Sequence, residues 1–169
     1  MRVAAALFLF VATSTFVFAQ TDQQQIDEQV WKPFTKAIMT QDVRGFVALH
    51  SKDLVRAERD QKQILNLAEY QKRMEESWPR WKESMKKDKT VYSFELRFLE
   101  RNSNGNQAYE VGYFKNDLTT PTGEKNVSYG KFQVALRKEN GVWKILVDSD
   151  SDEGGTITEE MFAAAQPIR

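Results

Sequence analysis

The chain has 169 residues, one histidine and no cysteine, and its 24 basic side chains balance 24 acidic ones. That length suits one domain plus a processed segment. The lack of cysteine excludes disulfides, thiolate metal sites, a thiol nucleophile and a lipid-bearing cysteine, and the even charge offers no basic excess for nucleic acid or an anionic membrane.

Arg2 is followed by an apolar run from Val3 to Ala12 and then by Val17-Phe18-Ala19. A basic start, an apolar stretch and a small residue at the cleavage position predict a signal peptide over residues 1–19, cut before Gln20. Export to the periplasm or outside the cell follows as an expectation. Loss of Arg2 with the leader would leave a net charge of −1. No later run is long enough to anchor the chain in a bilayer.

Residues 20–169 read as a single domain with helices first and strands after. Ile26, Val30, Phe34, Ala37 and Ile38 recur at helical spacing, so Asp22–Thr40 reads as an amphipathic helix that Pro33 should kink or whose start it should move. Asp42 suits the N-cap of a short helix over Val43–His50. Ser51–Arg59 reads as a short strand at the sheet edge. Asn66 with Glu69 forms a capping box, and Tyr70, Met74, Trp78 and Trp81 then share one face of the longest helix. Pro79 should bend that helix or split it.

Four strands follow: Thr90–Arg101, Gln107–Lys115, Val127–Lys138 and Val142–Asp150. Alternation assigns one face to Tyr92, Phe94, Leu96 and Phe98, to Tyr109, Val111 and Tyr113, to Phe132, Val134 and Leu136, and to Trp143, Ile145 and Val147. The other face then holds Glu95, Arg97, Arg101, Glu110, Lys131, Arg137, Lys144 and Asp148. Asn104-Gly105 and Asn140-Gly141 mark hairpin turns. Gly154-Gly155 breaks the chain before a terminal helix capped by Thr156 and Glu159 and ending near Ala165.

The order of elements resembles the nuclear transport factor 2-like superfamily, which includes SnoaL-like and ketosteroid isomerase-like proteins. The segments Leu49–Arg56, Ala108–Tyr113 and Gly141–Ile145, with Asp148–Ser151 after them, look like those of exported members. The resemblance implies an α+β fold in which a cone-shaped, strongly curved antiparallel sheet is wrapped by N-terminal helices around an apolar pocket. Such a pocket suits a small hydrophobic ligand, and no cofactor is expected.

Candidate pocket residues are Tyr70, Trp78, Trp81, Tyr92, Tyr109, Tyr113 and Ser149, with His50 and Arg56 reaching the mouth from the helical side. Tyr109 and Tyr113 are expected to supply the hydroxyls of the lining. One histidine cannot build a histidine-rich metal site. Asp148, Asp150, Asp152 and Glu159 occupy calcium-loop positions, but Glu153 stands where that loop needs glycine.

Three functions fit these residues: an exported binding domain with an apolar pocket, a SnoaL-like isomerase, hydratase or cyclase, and a domain that forms homodimers through its sheet. A pocket holding a buried charged group would favour the enzyme. One holding only tyrosine, tryptophan and serine would favour the binder, and one filled by side chains would favour the homodimer.

Overall fold

The computed structural model describes residues 20–168; the expected signal peptide lies outside the described residues. Helix α1 (Asp22–Ile26) passes through a π-helical turn (Asp27–Trp31) into α2 (Lys32–Thr40). The wide turn sits just before Pro33, whose ring removes a backbone donor that an α-helical ladder would use. The kink expected at proline is therefore accommodated as a π-turn that carries Trp31 into the core.

Helix α3 (Val43–Val47) is capped by Asp42 as its sequence suggests, but it stops short of His50. His50 instead opens strand β1 (His50–Glu58), which is followed by the short β2 (Gln63–Leu65). Helix α4 (Leu67–Asp88) has both bonds of its Asn66–Glu69 capping box and is not split at Pro79. Strands β3 (Val91–Ser103), β4 (Gln107–Thr119), β5 (Lys125–Glu139) and β6 (Val142–Ser151) form the meander. Asn140 and Gly141 both take positive φ in the last hairpin, the backbone that a tight two-residue turn demands. Helix α5 (Glu159–Ala164) is capped by Thr158 rather than by Thr156, and β7 (Gln166–Pro167) closes the order.

The seven strands lie in the order β2-β1-β6-β5-β4-β3-β7. The sheet is mixed, not wholly antiparallel, because β1 runs parallel to β6. It curves around α1, α2 and α4 without closing, and its concave face meets Trp31, Phe34, Phe46, Tyr70 and Trp78 in one apolar cluster. No helix among the described residues is long and apolar enough to cross a membrane.

Two single-residue bulges decide which side chains face inward. Phe98 pairs with Gly112 and Glu100 with Val111, so Leu99 is the extra residue in β3. Leu136 pairs with Ile145 and Ala135 with Val147, so Leu146 is the extra residue in β6. Past a bulge the alternation is inverted. Arg101 therefore turns inward, opposite Glu110. Val147 leaves the inner face it was expected to share with Trp143 and Ile145, and Asp148 takes that face instead.

Strand β4 is also turned over relative to the expectation. Ala108, Glu110, Gly112 and Phe114 face the concave side. Tyr109, on the outer face, is 43% exposed, and Tyr113 packs with Ile157, Phe162 and Ala165 beneath the C-terminal segment. The cause is the pairing with β5: Gly112 lies directly opposite Phe132, and Gly130 opposite Phe114. Directly paired residues share a face, and a Cβ on Gly112 would stand 2.5 Å from the Phe132 ring. The glycines make room for the phenylalanines across the strand.

Glu110 is consequently 1% exposed, not on a wet face. It accepts hydrogen bonds from the Trp31 indole N–H and, at 2.8 Å, from Arg101 Nε. Arg101 also donates from both terminal nitrogens to Asp27, at 2.7 and 3.2 Å, and lies over the Phe98 ring. This network ties the π-turn to the middle of the sheet.

Candidate functional site

Between α2, α4 and the concave face lies a cavity of about 260 Å³. Its walls are apolar and mostly aromatic, with rings from Trp31, Phe34, Phe46, Phe94, Phe114 and Phe132. Of the residues anticipated for a pocket, Tyr70, Trp78, Trp81 and Tyr92 line it. Trp81 and Tyr92 are half-buried, stack edge to face with centroids 4.7 Å apart, and mark where the cavity reaches solvent. The Tyr92 hydroxyl donates to Asn116 Oδ1 at 2.7 Å, and burial pushes it above its ordinary range.

Tyr109, Tyr113 and Ser149 do not line this cavity. The two tyrosines are on the outer face, and Ser149 pairs with Gln133 and Ala57 at the alternate position between Asp148 and Asp150. Those two aspartates do line it. Sequence alternation had assigned Asp148 to solvent, and the Leu146 bulge reverses that.

His50 and Arg56 sit behind the aspartates on β1, not at the mouth on the helical side. The parallel pairing places Arg56 beside Asp148. Arg56 donates from Nη1 to Asp148 at 3.3 Å and from Nη2 to Asp150 at 2.7 Å, and lies over the Tyr70 ring. Glu58 approaches Arg56 Nε at 4.0 Å and pairs with Arg73 from α4. The His50 side chain is fully buried, with Nδ1 2.9 Å from the Phe46 carbonyl oxygen. Its Nε2 stands 3.7 Å from Asp148 Oδ2, too far for a hydrogen bond, and has no partner among the described residues.

The two aspartates differ in their environment. Burial pushes both carboxyls up. At Asp148 the guanidinium of Arg56, with the neighbouring His50 ring, outweighs burial, and its carboxyl lies below the usual carboxylate range. At Asp150 burial prevails over Arg56, with Asp148 adding repulsion, and its carboxyl lies above that range. Burial likewise raises the Tyr70 hydroxyl. A pair of acids held apart in this way can hold and release a proton near the same bound atom.

The acids of the supposed calcium loop are dispersed. Asp148 and Asp150 engage Arg56, Asp152 caps Gly154 N–H, and Glu159 pairs with Lys115. Among the described residues no group of three or more potential metal ligands converges.

No family model matches the sequence, and no curated protein matches it. Solved structures do. An NTF2-like protein with a cystatin-like fold from Novosphingobium aromaticivorans superposes with a TM-score of 0.61 at 12% identity, over 76% of this chain and 80% of its own. A ketosteroid isomerase-like protein from Erwinia carotovora atroseptica gives 0.55 at 14% identity, over 78% of this chain and 97% of its own. An NTF2-like protein of unknown function from Pseudomonas putida gives 0.53 at 15%, over 73% and 82%. With a curved mixed sheet wrapped on helices and this agreement over most of the chain, the fold is that of the nuclear transport factor 2-like superfamily.

Proposed function

We propose that the chain is an exported domain that binds a small, largely apolar molecule in its concave cavity. The observation that carries this reading is the cavity of about 260 Å³, walled by aromatic rings with Asp148 and Asp150 in its lining. Apolar walls with a few convergent polar groups are the usual makeup of a small-molecule site. Native mass spectrometry of protein purified from its source should show a co-purifying compound of low mass. Trp81→Ala, which opens the stacked pair with Tyr92, should weaken binding of that compound about tenfold. Tyr109→Phe, on the outer face, should leave binding unchanged. Equal losses in the two variants would remove the cavity from the argument.

The buried Asp148 and the half-buried Asp150 beside it favour proton transfer as a second reading, in the manner of a SnoaL-like isomerase, hydratase or cyclase. Both readings require an occupied cavity, so binding is the conclusion and turnover a further step. Conversion of the co-purified compound by wild-type protein, lost in Asp150→Asn, would establish that step.

Export rests on the apolar run after Arg2 and on Val17-Phe18-Ala19. N-terminal sequencing of the mature protein should begin at Gln20 or within a few residues of it. An intact Met1 in the membrane fraction would overturn that part of the proposal.

A further inference from the structure

We propose that the cavity selects a small organic cation, an amine or quaternary ammonium with an apolar body, its positive centre held between the aromatic walls and the Asp148 and Asp150 carboxylates. The inference rests on the ligand-binding reading above and names the ligand's chemical class.

The walls supply the first argument. Trp31, Phe46, Trp78, Phe94 and Phe114 all line one space. Aromatic faces carry negative potential, and a desolvated cation within about 6 Å of them is held strongly.

The balance of charge supplies the second. Asp148, Asp150 and Glu58 meet two guanidiniums, those of Arg56 and Arg73. Arg56 is already shared between both aspartates, and Arg73 is taken by Glu58 and Gln63. One negative charge at the cavity wall is left without its own counter-charge. Charge that is partly buried and lacks its own partner is costly, and a cation in the cavity would relieve the cost.

Tyr70 supplies the third. It is 6% exposed and lines the cavity, and its hydroxyl has no hydrogen-bond partner among the described residues. A phenol oxygen can accept from an ammonium N–H beside the carboxylates. An anion of the same shape would face Asp148 and Asp150, and a neutral molecule would leave them desolvated without compensation.

Size narrows the class. A dry cavity of about 150 Å³ accommodates benzene, so 260 Å³ suits roughly one ring with a small charged head.

The test compares phenyltrimethylammonium with its neutral isostere tert-butylbenzene, each titrated into the mature chain by calorimetry. The cation should bind at least about tenfold tighter, which is about 1.4 kcal/mol. Asp150→Asn keeps the shape and an acceptor for Arg56, and it should cut the preference for the cation about tenfold. If the isostere binds as tightly as the cation, the proposal is overturned while the apolar cavity stands as a ligand site. A preference untouched by Asp150→Asn, in protein shown to be folded, overturns it as well. If neither probe binds, the ligand-binding reading falls too. Should Asp150→Asn fail to fold, the two probes on wild-type protein decide alone.

Discussion

Arg101→Met lowers the stability of the folded chain by about 3–5 kcal/mol, the usual cost of removing one partner from a buried charge network. The side chain is shared between Asp27 and Glu110, and its loss leaves two carboxylates beneath the sheet without their guanidinium. Methionine fills much of the volume, so the effect reports charge more than packing. A pH series separates the two. Burial already holds Glu110 above its ordinary range, against the pull of Arg101 and Trp31. A carboxyl raised in the folded state favours folding below its unfolded pKa, and that contribution is lost as pH rises through the folded pKa. The variant should therefore show its largest deficit near neutrality and recover part of it toward about pH 4–5 as Glu110 takes up a proton. A deficit equal at both ends, measured by denaturant titration, would assign the effect to packing. Glu110→Gln in the Arg101→Met background should return part of the loss at neutral pH, since an amide needs no counter-charge.

Trp143→Ala is the second large expected effect, also about 3–5 kcal/mol, the range for a buried aromatic truncated to alanine. Trp143 is fully buried in the same cluster as Ile145, Val134 and Leu136. Its backbone N–H donates to Gln29, and Lys138 lies over its ring, so the residue joins the helical layer to the last hairpin. The indole N–H has no partner among the described residues. Trp143→Phe, which removes that donor and keeps most of the ring, should cost far less than Trp143→Ala. Lys144→Ala on the neighbouring position should change the stability by no more than about 0.5 kcal/mol. A midpoint unmoved by Trp143→Ala would mean that β6 is turned the other way.

Local rules read well in this chain wherever the signal is local. Asn66 with Glu69, Asp42, and Asn140-Gly141 each name a cap or turn with its own geometry, and each occurs as written. Long alternation placed Tyr92, Phe94, Leu96 and Phe98 correctly, because their strand has no competing apolar face before its bulge. Strand β4 has two candidate faces. Tyr109, Val111 and Tyr113 outweigh Ala108, Gly112 and Phe114 by hydrophobicity alone, yet register with Phe132 decides for the second set. The signal that could have found this was the pair of glycines, Gly112 and Gly130, each two residues from a phenylalanine or tyrosine and each set where a strand otherwise wants a side chain.

The site was less legible because it depends on contacts far apart in sequence. Tyr70, Trp78, Trp81 and Tyr92 belong to an amphipathic helix and a clean strand, so their place in the cavity follows from periodicity. Asp148 and Asp150 reach it only through the Leu146 bulge, and no residue pattern marks that position. Arg56 finds them only through a parallel pairing between strands about ninety residues apart, which alternation cannot reveal. His50 was assigned to a helix end because Phe46 and Leu49 continue the helical spacing, and the chain instead turns into β1 there.

The bulges at Leu99 and Leu146 carry a consequence for how such a site can arise. Each precedes the charged side chain that it turns inward, Arg101 in one strand and Asp148 in the other. The gain of one codon within a strand thus moves existing surface charges to the interior, with no substitution among them. Loss of that codon returns them to water. In this scaffold a lineage can acquire or discard an internal charged centre by insertion and deletion, and a comparison that scores only substitutions would pass over the event.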